Sequence, residues 1–196
     1  MLDKQTYEIM KQKYGPVGSW AVWTSAGSAP KSFTDDMSWV NDPSLLETLN
    51  TGFVFVGRCW SRGDPSSRGQ IPWADFHSDS PHQNDYKLRY ALKGTKYWGS
   101  YITDFYKLDF DIHYLDVDDY AKEHPEFVRK NLATFQEEIS YLGDDIVLVA
   151  FGNVVYNLLK KHLGDRYRIV KIMNYAAYIS KEEYRTKVLE VLNNVV

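Results

Sequence analysis

The sequence predicts an α/β fold, a three-layer arrangement in which a central, mostly parallel sheet of about four strands is flanked by helices. Two continuous apolar runs carry most of that expectation, Phe53-Val-Phe-Val56 and Ile146-Val-Leu-Val-Ala-Phe151. Runs of this kind suit strands buried on both faces, which belong mostly to parallel sheets covered by helices. The third observation is alternation. Stretches with helical spacing separate the strand candidates, so the connections are crossovers and the strands they join run parallel. The 196 residues show no internal repeat and no linker, and read as one domain over 1–196 with room for a full core.

Residues 3–13 read as a helix ended by Gly15-Pro16, and 18–23 as a short strand or an aromatic-rich turn. Residues 24–43 are rich in Ser, Gly, Pro and Asp and form a long irregular loop. Ser44 to Leu49 is a helical turn leading into the first buried strand, 53–56. Gly57 ends that strand, and Arg58, Cys59, Trp60, Ser61 and Arg62 follow as a loop. A second irregular segment, 61–86, holds Ile71-Pro-Trp-Ala-Asp-Phe-His77, with three large rings in seven residues. Lys87 to Leu92 is helical, and 98–105 is a strand with Thr103 and Asp104 at its carboxyl end. Within 116–142, Asp118 or Asp119 starts one helical turn and Pro125 opens a longer helix, 126–142. The strand 146–151 runs through Gly152-Asn153 into the helix 154–163, closed by Gly164. Tyr167 to Ile172 is the fourth strand and 174–178 a loop. Ser180 with Glu183 makes a capping box for the last helix, 181–193. Loops that follow parallel strands share one edge of the sheet, where ligands bind in open α/β folds. Arg58–Ser61, Thr103–Asp104 and Asn174–Tyr178 therefore converge.

Composition excludes several classes. A hydrophobic content of 44% with 25% charged residues is globular. One cysteine, Cys59, rules out an internal disulfide framework and a multi-cysteine zinc site, and suits a reducing cytoplasm. No apolar run reaches the roughly 18–20 residues of a membrane span, and the amino terminus is an amphipathic helix, not a secretory signal. Net charge is −3, but it is unevenly spread. Residues 58–107 carry 8 basic and 5 acidic groups and 146–196 carry 8 and 4, whereas 108–145 carry 3 and 11. A molecule polarised in this way presents a positive face to a polyanion despite its negative total. The 15 Tyr and 6 Trp suit stacking on flat ligands as well as a core.

Phosphate-binding glycine loops, a nucleophile elbow and paired metal-ligating histidines are absent from the sequence. The five histidines are dispersed, and neither a metal nor a cofactor is expected. Cys59 as a nucleophile would need a base, for which His77 is the candidate; a small buried thiol is the simpler reading.

The order of elements resembles the uracil-DNA glycosylase superfamily from about residue 50 to 187. In that family an apolar strand ends in a Gly-x-(Asp/Asn)-Pro loop that positions the attacking water, and FVFVGRCWS holds that place here, with Gly57 in the glycine position and Cys59 where the family has a carboxylate or amide. A segment some 13 residues on stacks on the extruded base. IPWADF sits there, with Trp73 nearest the expected position and Phe76 second. A strand ending in an Asn reads the base edge, and YWGSYITDF brings Asp104 to that point. A last strand leads to a (His/Asn)-Pro-Ser loop with an apolar wedge, and KIMNYAAYIS places Asn174 and Tyr178 there, with Tyr175-Ala176 in place of Pro-Ser.

Asp104 has its own chemical reading. An amide pairs with both the N3 donor and the C4 carbonyl of uracil, whereas a carboxylate accepts from the exocyclic amine of cytosine. An acid at the reading position points to cytosine or a modified cytosine, each correct bidentate contact being worth roughly 1–3 kcal/mol of discrimination. Trp73 or Phe76 would stack on the base, Gly57 and Arg58 would border it, and Tyr178 would fill the vacated space. Arg58, Arg62, Arg68, Lys87, Arg89, Lys171 and Lys181 would hold phosphates. If Cys59 cannot orient the water, Asp75 is the first substitute and Asp64 the second, with Asn174 completing the catalytic set. The expected protein is a monomeric, cytoplasmic, monofunctional DNA glycosylase. Its target is a cytosine-like or hypermodified base in single- or double-stranded DNA, a specificity that would fit defence against phages with modified DNA. The alternatives are a repair glycosylase for uracil or damaged bases and a catalytically silent nucleic-acid or nucleotide sensor with the same fold.

Overall fold

The computed structural model describes residues 2–25, 27–60, 71–78, 80, 82–107 and 117–195. Its centre is a sheet of five strands: β1 (Gly18–Trp20), β2 (Asn50–Cys59), β3 (Ser100–Tyr106), β4 (Val147–Phe151) and β5 (Arg168–Ile172). Their order across the sheet is β1-β3-β2-β4-β5. The four longer strands are parallel, as the crossover argument requires, and β1 adds a fifth, antiparallel edge beside β3. The residues of β1 are buried throughout, so no polar alternation marks this short element as an edge strand.

Helices cover both faces. On one lie α1 (Lys4–Tyr14), α5 (Pro125–Ser140) and α6 (Gly152–Leu163), whose Met10, Phe135, Ile139, Val155 and Leu159 pack on Val54, Val56, Leu148 and Ala150. On the other, α3 (Asp85–Leu92) and α7 (Lys181–Asn193) bring Leu88, Leu92, Tyr184 and Val188 against Phe55, Ile102, Val149 and Phe151. Two short helices, α2 (Leu45–Thr48) and α4 (Val117–Glu123), complete the set. Alternate residues of β2 and β4 thus feed two separate cores, which is why these segments are continuous apolar runs.

Helix ends follow local chemistry. The Asp3 carboxylate accepts from the Thr6 amide at 2.9 Å, and Ser180 Oγ accepts from the Glu183 amide at 3.0 Å. Pro125 opens α5, where its missing N–H costs nothing. Gly152 adopts φ +88 and starts α6 directly at the end of β4, two residues before the sequence expectation.

The loop expected at Arg58–Arg62 begins later than predicted. β2 continues through Cys59 because its ladder with β3 does, with Gly57 opposite Asp104 and Cys59 opposite Tyr106. The Trp60 amide then donates to the Tyr106 carbonyl at 2.8 Å. Gly57, Arg58 and Cys59 are therefore strand residues. The chain leaves β2 toward α3 on one face and leaves β3 and β4 toward helices on the other. In open α/β sheets such a divergence marks the carboxyl end of the strand as the place for a ligand.

Candidate active site

At that end of the sheet Gly57 and Asp104 lie side by side on neighbouring strands. A Cβ on Gly57 would lie 2.0 Å from Asp104 Oδ1 and 3.6 Å from Phe76 Cζ. Only glycine leaves room for the carboxyl group to lie over the strand. Gly57 shares its face with Phe55, so Asp104 and Phe76 sit on the α3–α7 side. The Phe76 ring meets the edge of Tyr175 at 6.5 Å, and Tyr175 meets Phe151 at 5.2 Å with the rings perpendicular. Two aromatic rings thus wall a carboxyl group at the sheet's edge.

Segment 71–77 delivers Phe76 by an unusual path. Trp73 and Phe76 both have positive φ, 70° and 60°, a conformation that costs a non-glycine residue stability and persists only when its surroundings hold it. Hydrogen bonds and ring packing hold it. The Trp73 amide donates to the Gly15 carbonyl at 2.7 Å, and Ser19 Oγ donates to the Trp73 carbonyl at 2.6 Å. His77 lies between Trp23 and Trp39, its ring centroid 5.0 and 5.3 Å from theirs. Its Nε2 is 2.8 Å from the Val22 carbonyl and its Nδ1 is 2.8 Å from that of Asp75.

The Asp104 side chain is nine-tenths buried and makes no hydrogen bond among the described residues. Burial pushes its carboxyl well above the ordinary range; the charges of Asp75 and Glu138 push the same way, while those of Lys107 and Arg58 pull it down. Burial also raises the Tyr175 phenol, reinforced by Asp85, Asp104 and Asp75. The edge of the pocket therefore favours a neutral acid beside a second carboxyl group.

Behind Asp104, on the other face, the Lys107 ammonium pairs with Glu138 and donates to Thr103 Oγ1 at 2.9 Å. Glu138 also accepts from Tyr101 at 2.7 Å and from Thr103 at 2.9 Å. Asn131 accepts from the Lys107 amide at 2.8 Å. This satisfied ionic network fixes the end of β3 from which Asp104 projects.

Several sequence expectations change here. Trp73 is not a stacking platform. It is fully buried in the opposite core against Trp20 and Tyr101, with Nε1 donating to the Tyr7 hydroxyl at 3.1 Å. Phe76, the second choice, takes the place beside Asp104, and Asp75 accompanies it on the same turn. Lys87 and Arg89 are buried ties and do not face solvent phosphates. Lys87 Nζ donates to the Ala177 carbonyl at 2.7 Å, and Arg89 Nη1 donates to the Ser32 carbonyl at 2.7 Å. Each cation donates to main-chain oxygens, which the sequence alone could not show.

Arg58 projects to the surface and pairs with Asp118 at 3.0 Å, while Cys59 is half-buried with Sγ 3.5 Å from the Trp60 carbonyl. Asn174 lies at the rim, its Cβ 3.9 Å from a Cβ built on Gly152. Its side-chain oxygen accepts from the Ala176 amide at 2.8 Å. Tyr178 is fully exposed at the tip of the same loop. Lys171 reaches Asn153 at 2.7 Å, and Lys181 lies over the Tyr90 ring. Arg62, Asp64 and Arg68 lie outside the described residues. Sequence reasoning gave no role to the Tyr175 ring or the Lys107–Glu138 network, and it offered His77 as a base for Cys59, whereas both His77 ring nitrogens lie against main-chain carbonyls. Lys107 three positions after Asp104 was a visible clue to that network.

A cleft of about 380 Å³ near Trp23, Lys93, Gly94 and Trp98 lies at the other edge of the sheet, beside the amino end of β3, and brings together no carboxylate. Among the described residues no group of three His, Cys, Asp or Glu could hold a metal ion, and no helix is long and apolar enough to cross a membrane. Comparison with family models, curated proteins and solved structures finds no match for this chain.

Proposed function

We propose that this chain is a monofunctional DNA glycosylase of the uracil-DNA glycosylase type that extrudes and excises a cytosine-like or hypermodified base. One observation carries the reading: a nine-tenths-buried carboxyl group, Asp104, lies over a glycine at the carboxyl edge of the sheet with an aromatic ring beside it and no hydrogen-bond partner among the described residues. A carboxyl group to which no described protein group donates keeps its hydrogen-bonding capacity for a ligand. Phe76 supplies the stacking face and Asp104 the edge contact. Asp75 orients the attacking water in place of Cys59, whose thiol hydrogen-bonds to the adjacent Trp60 carbonyl. Asn174 borders the entrance, and the exposed Tyr178 fills the gap left in the duplex. Extrusion costs a few kcal/mol, and stacking returns roughly 1–3 kcal/mol per base. Lys171 and Lys181 are the described candidates for phosphate contact.

The reading is tested by incubating the protein with single- and double-stranded oligonucleotides bearing uracil, cytosine or glucosylated hydroxymethylcytosine, then scoring alkali-labile abasic sites. Release confined to the cytosine series is expected. Release from uracil alone would favour ordinary repair. A second reading, a nucleic-acid or nucleotide sensor that retains the pocket without cleavage, is favoured by Cys59 at the expected water-positioning place. It predicts tight binding with no base released.

A further inference from the structure

We propose that Asp104 is a general acid: it protonates the ring nitrogen N3 of an extruded cytosine-type base as the bond to deoxyribose breaks, while the Asp75 carboxylate takes a proton from the attacking water. The inference rests on the glycosylase reading and adds where the choice of base is made.

A neutral carboxyl group has one O–H donor and one carbonyl acceptor. Facing cytosine, the donor meets N3 and the carbonyl accepts from the exocyclic amine. Facing uracil, the same group also pairs twice, its carbonyl accepting from N3–H and its hydroxyl donating to the C4 oxygen. Binding alone therefore separates the two bases poorly. Proton transfer does separate them, because N3 of cytosine is a base and the uracil carbonyls are far weaker ones.

The arrangement suits that task. Asp104 lies over Gly57 with its oxygen in the space a side chain would occupy, and no donor among the described residues holds it as a carboxylate. The titratable and charged groups around it come from every neighbouring element: Asp75 on the aromatic turn, Lys107 at the end of β3, Glu138 on α5, Arg58 on β2, and Tyr175 in the last loop. Lys107 is committed to Glu138, and the charge that acts most strongly on Asp104 is that of Asp75.

The step balances. The Asp104 proton moves to N3, and the C1′–N1 bond breaks with its electron pair remaining on N1, releasing a neutral base. Water adds to C1′ and gives a proton to Asp75. Asp104 ends ionised and Asp75 protonated, and exchange with solvent restores both.

The test compares wild type with Asp104→Asn and Asp75→Asn on the oligonucleotide series, across pH and under single-turnover conditions. Asp104→Asn keeps the size and a donor–acceptor pair but has no acidic proton. Excision of cytosine-type bases is expected to fall about 10²–10⁴-fold, while binding to the same DNA stays within a few-fold. In wild type the rate is expected to fall on the alkaline side through one ionisation, and in Asp75→Asn that limb moves to lower pH. The pH profile of wild type keeps the proposal testable if a variant fails to fold. A rate that stays flat into the alkaline range, or an Asp104→Asn protein that excises cytosine within a few-fold of wild type, overturns the acid role and leaves the glycosylase reading standing. A wild-type protein that releases no base from any substrate overturns both.

Discussion

Gly57 and Asp104 share one small volume, and the contest for it makes two predictions. Gly57→Ala drives a methyl group into the Asp104 carboxyl. On the glycosylase proposal, base release is expected to drop at least about tenfold, since misplacing the proposed acid by about 1 Å would cost rate steeply; the oligonucleotide assay checks this. The second concerns stability. Asp104 is raised by burial, so the fold accommodates its neutral form, and its contribution is intact below the ordinary carboxylate range and lost as pH rises through the raised value. Asp104→Asn is therefore expected to melt higher than wild type at neutral and alkaline pH. The gap should close on acidification, as thermal denaturation over a pH series would show. At this scale the sequence was half legible. Asp104 stood out as an acid at a strand's end. The choice between Trp73 and Phe76 did not, because two aromatic residues three apart look equivalent until tertiary packing sends one into each core.

The elements were easier to read, since β2 and β4 serve two cores and β5 ends in a recognisable loop. What the sequence hid were pairings that only tertiary contact creates. β1 was undecided between strand and turn, and the ladder that extends β2 to Cys59 depends on β3. The buried Lys107–Glu138 pair makes the end of β3 sensitive to charge. Lys107→Met is expected to cost about 3–5 kcal/mol by leaving Glu138 uncompensated, whereas Lys107→Met with Glu138→Leu recovers much of that loss. Urea denaturation of the two variants distinguishes the outcomes. Ser180→Ala is expected to cost about 1 kcal/mol through the lost cap of α7, with no effect on the pocket itself.

At the scale of the whole molecule, acid is concentrated in one stretch of chain. Residues 108–145 carry 11 acidic and 3 basic groups, whereas Lys171 and Lys181 belong to β5 and α7. Replacing Lys171 and Lys181 together by Ala is expected to weaken DNA binding equally for all sequences. It should also flatten the dependence of log affinity on log salt by about one for each lysine, measurable by fluorescence anisotropy across a salt series. The path of residues 71–77 has a broader consequence. Within four residues it plants Trp73 under α1 on one side of the sheet and Phe76 in the second core on the other. Whatever slackens the back of the protein must then be felt at its mouth. On the glycosylase proposal, loosening the first helix, for instance by Tyr7→Ala, would blunt turnover without altering a single atom beside Asp104.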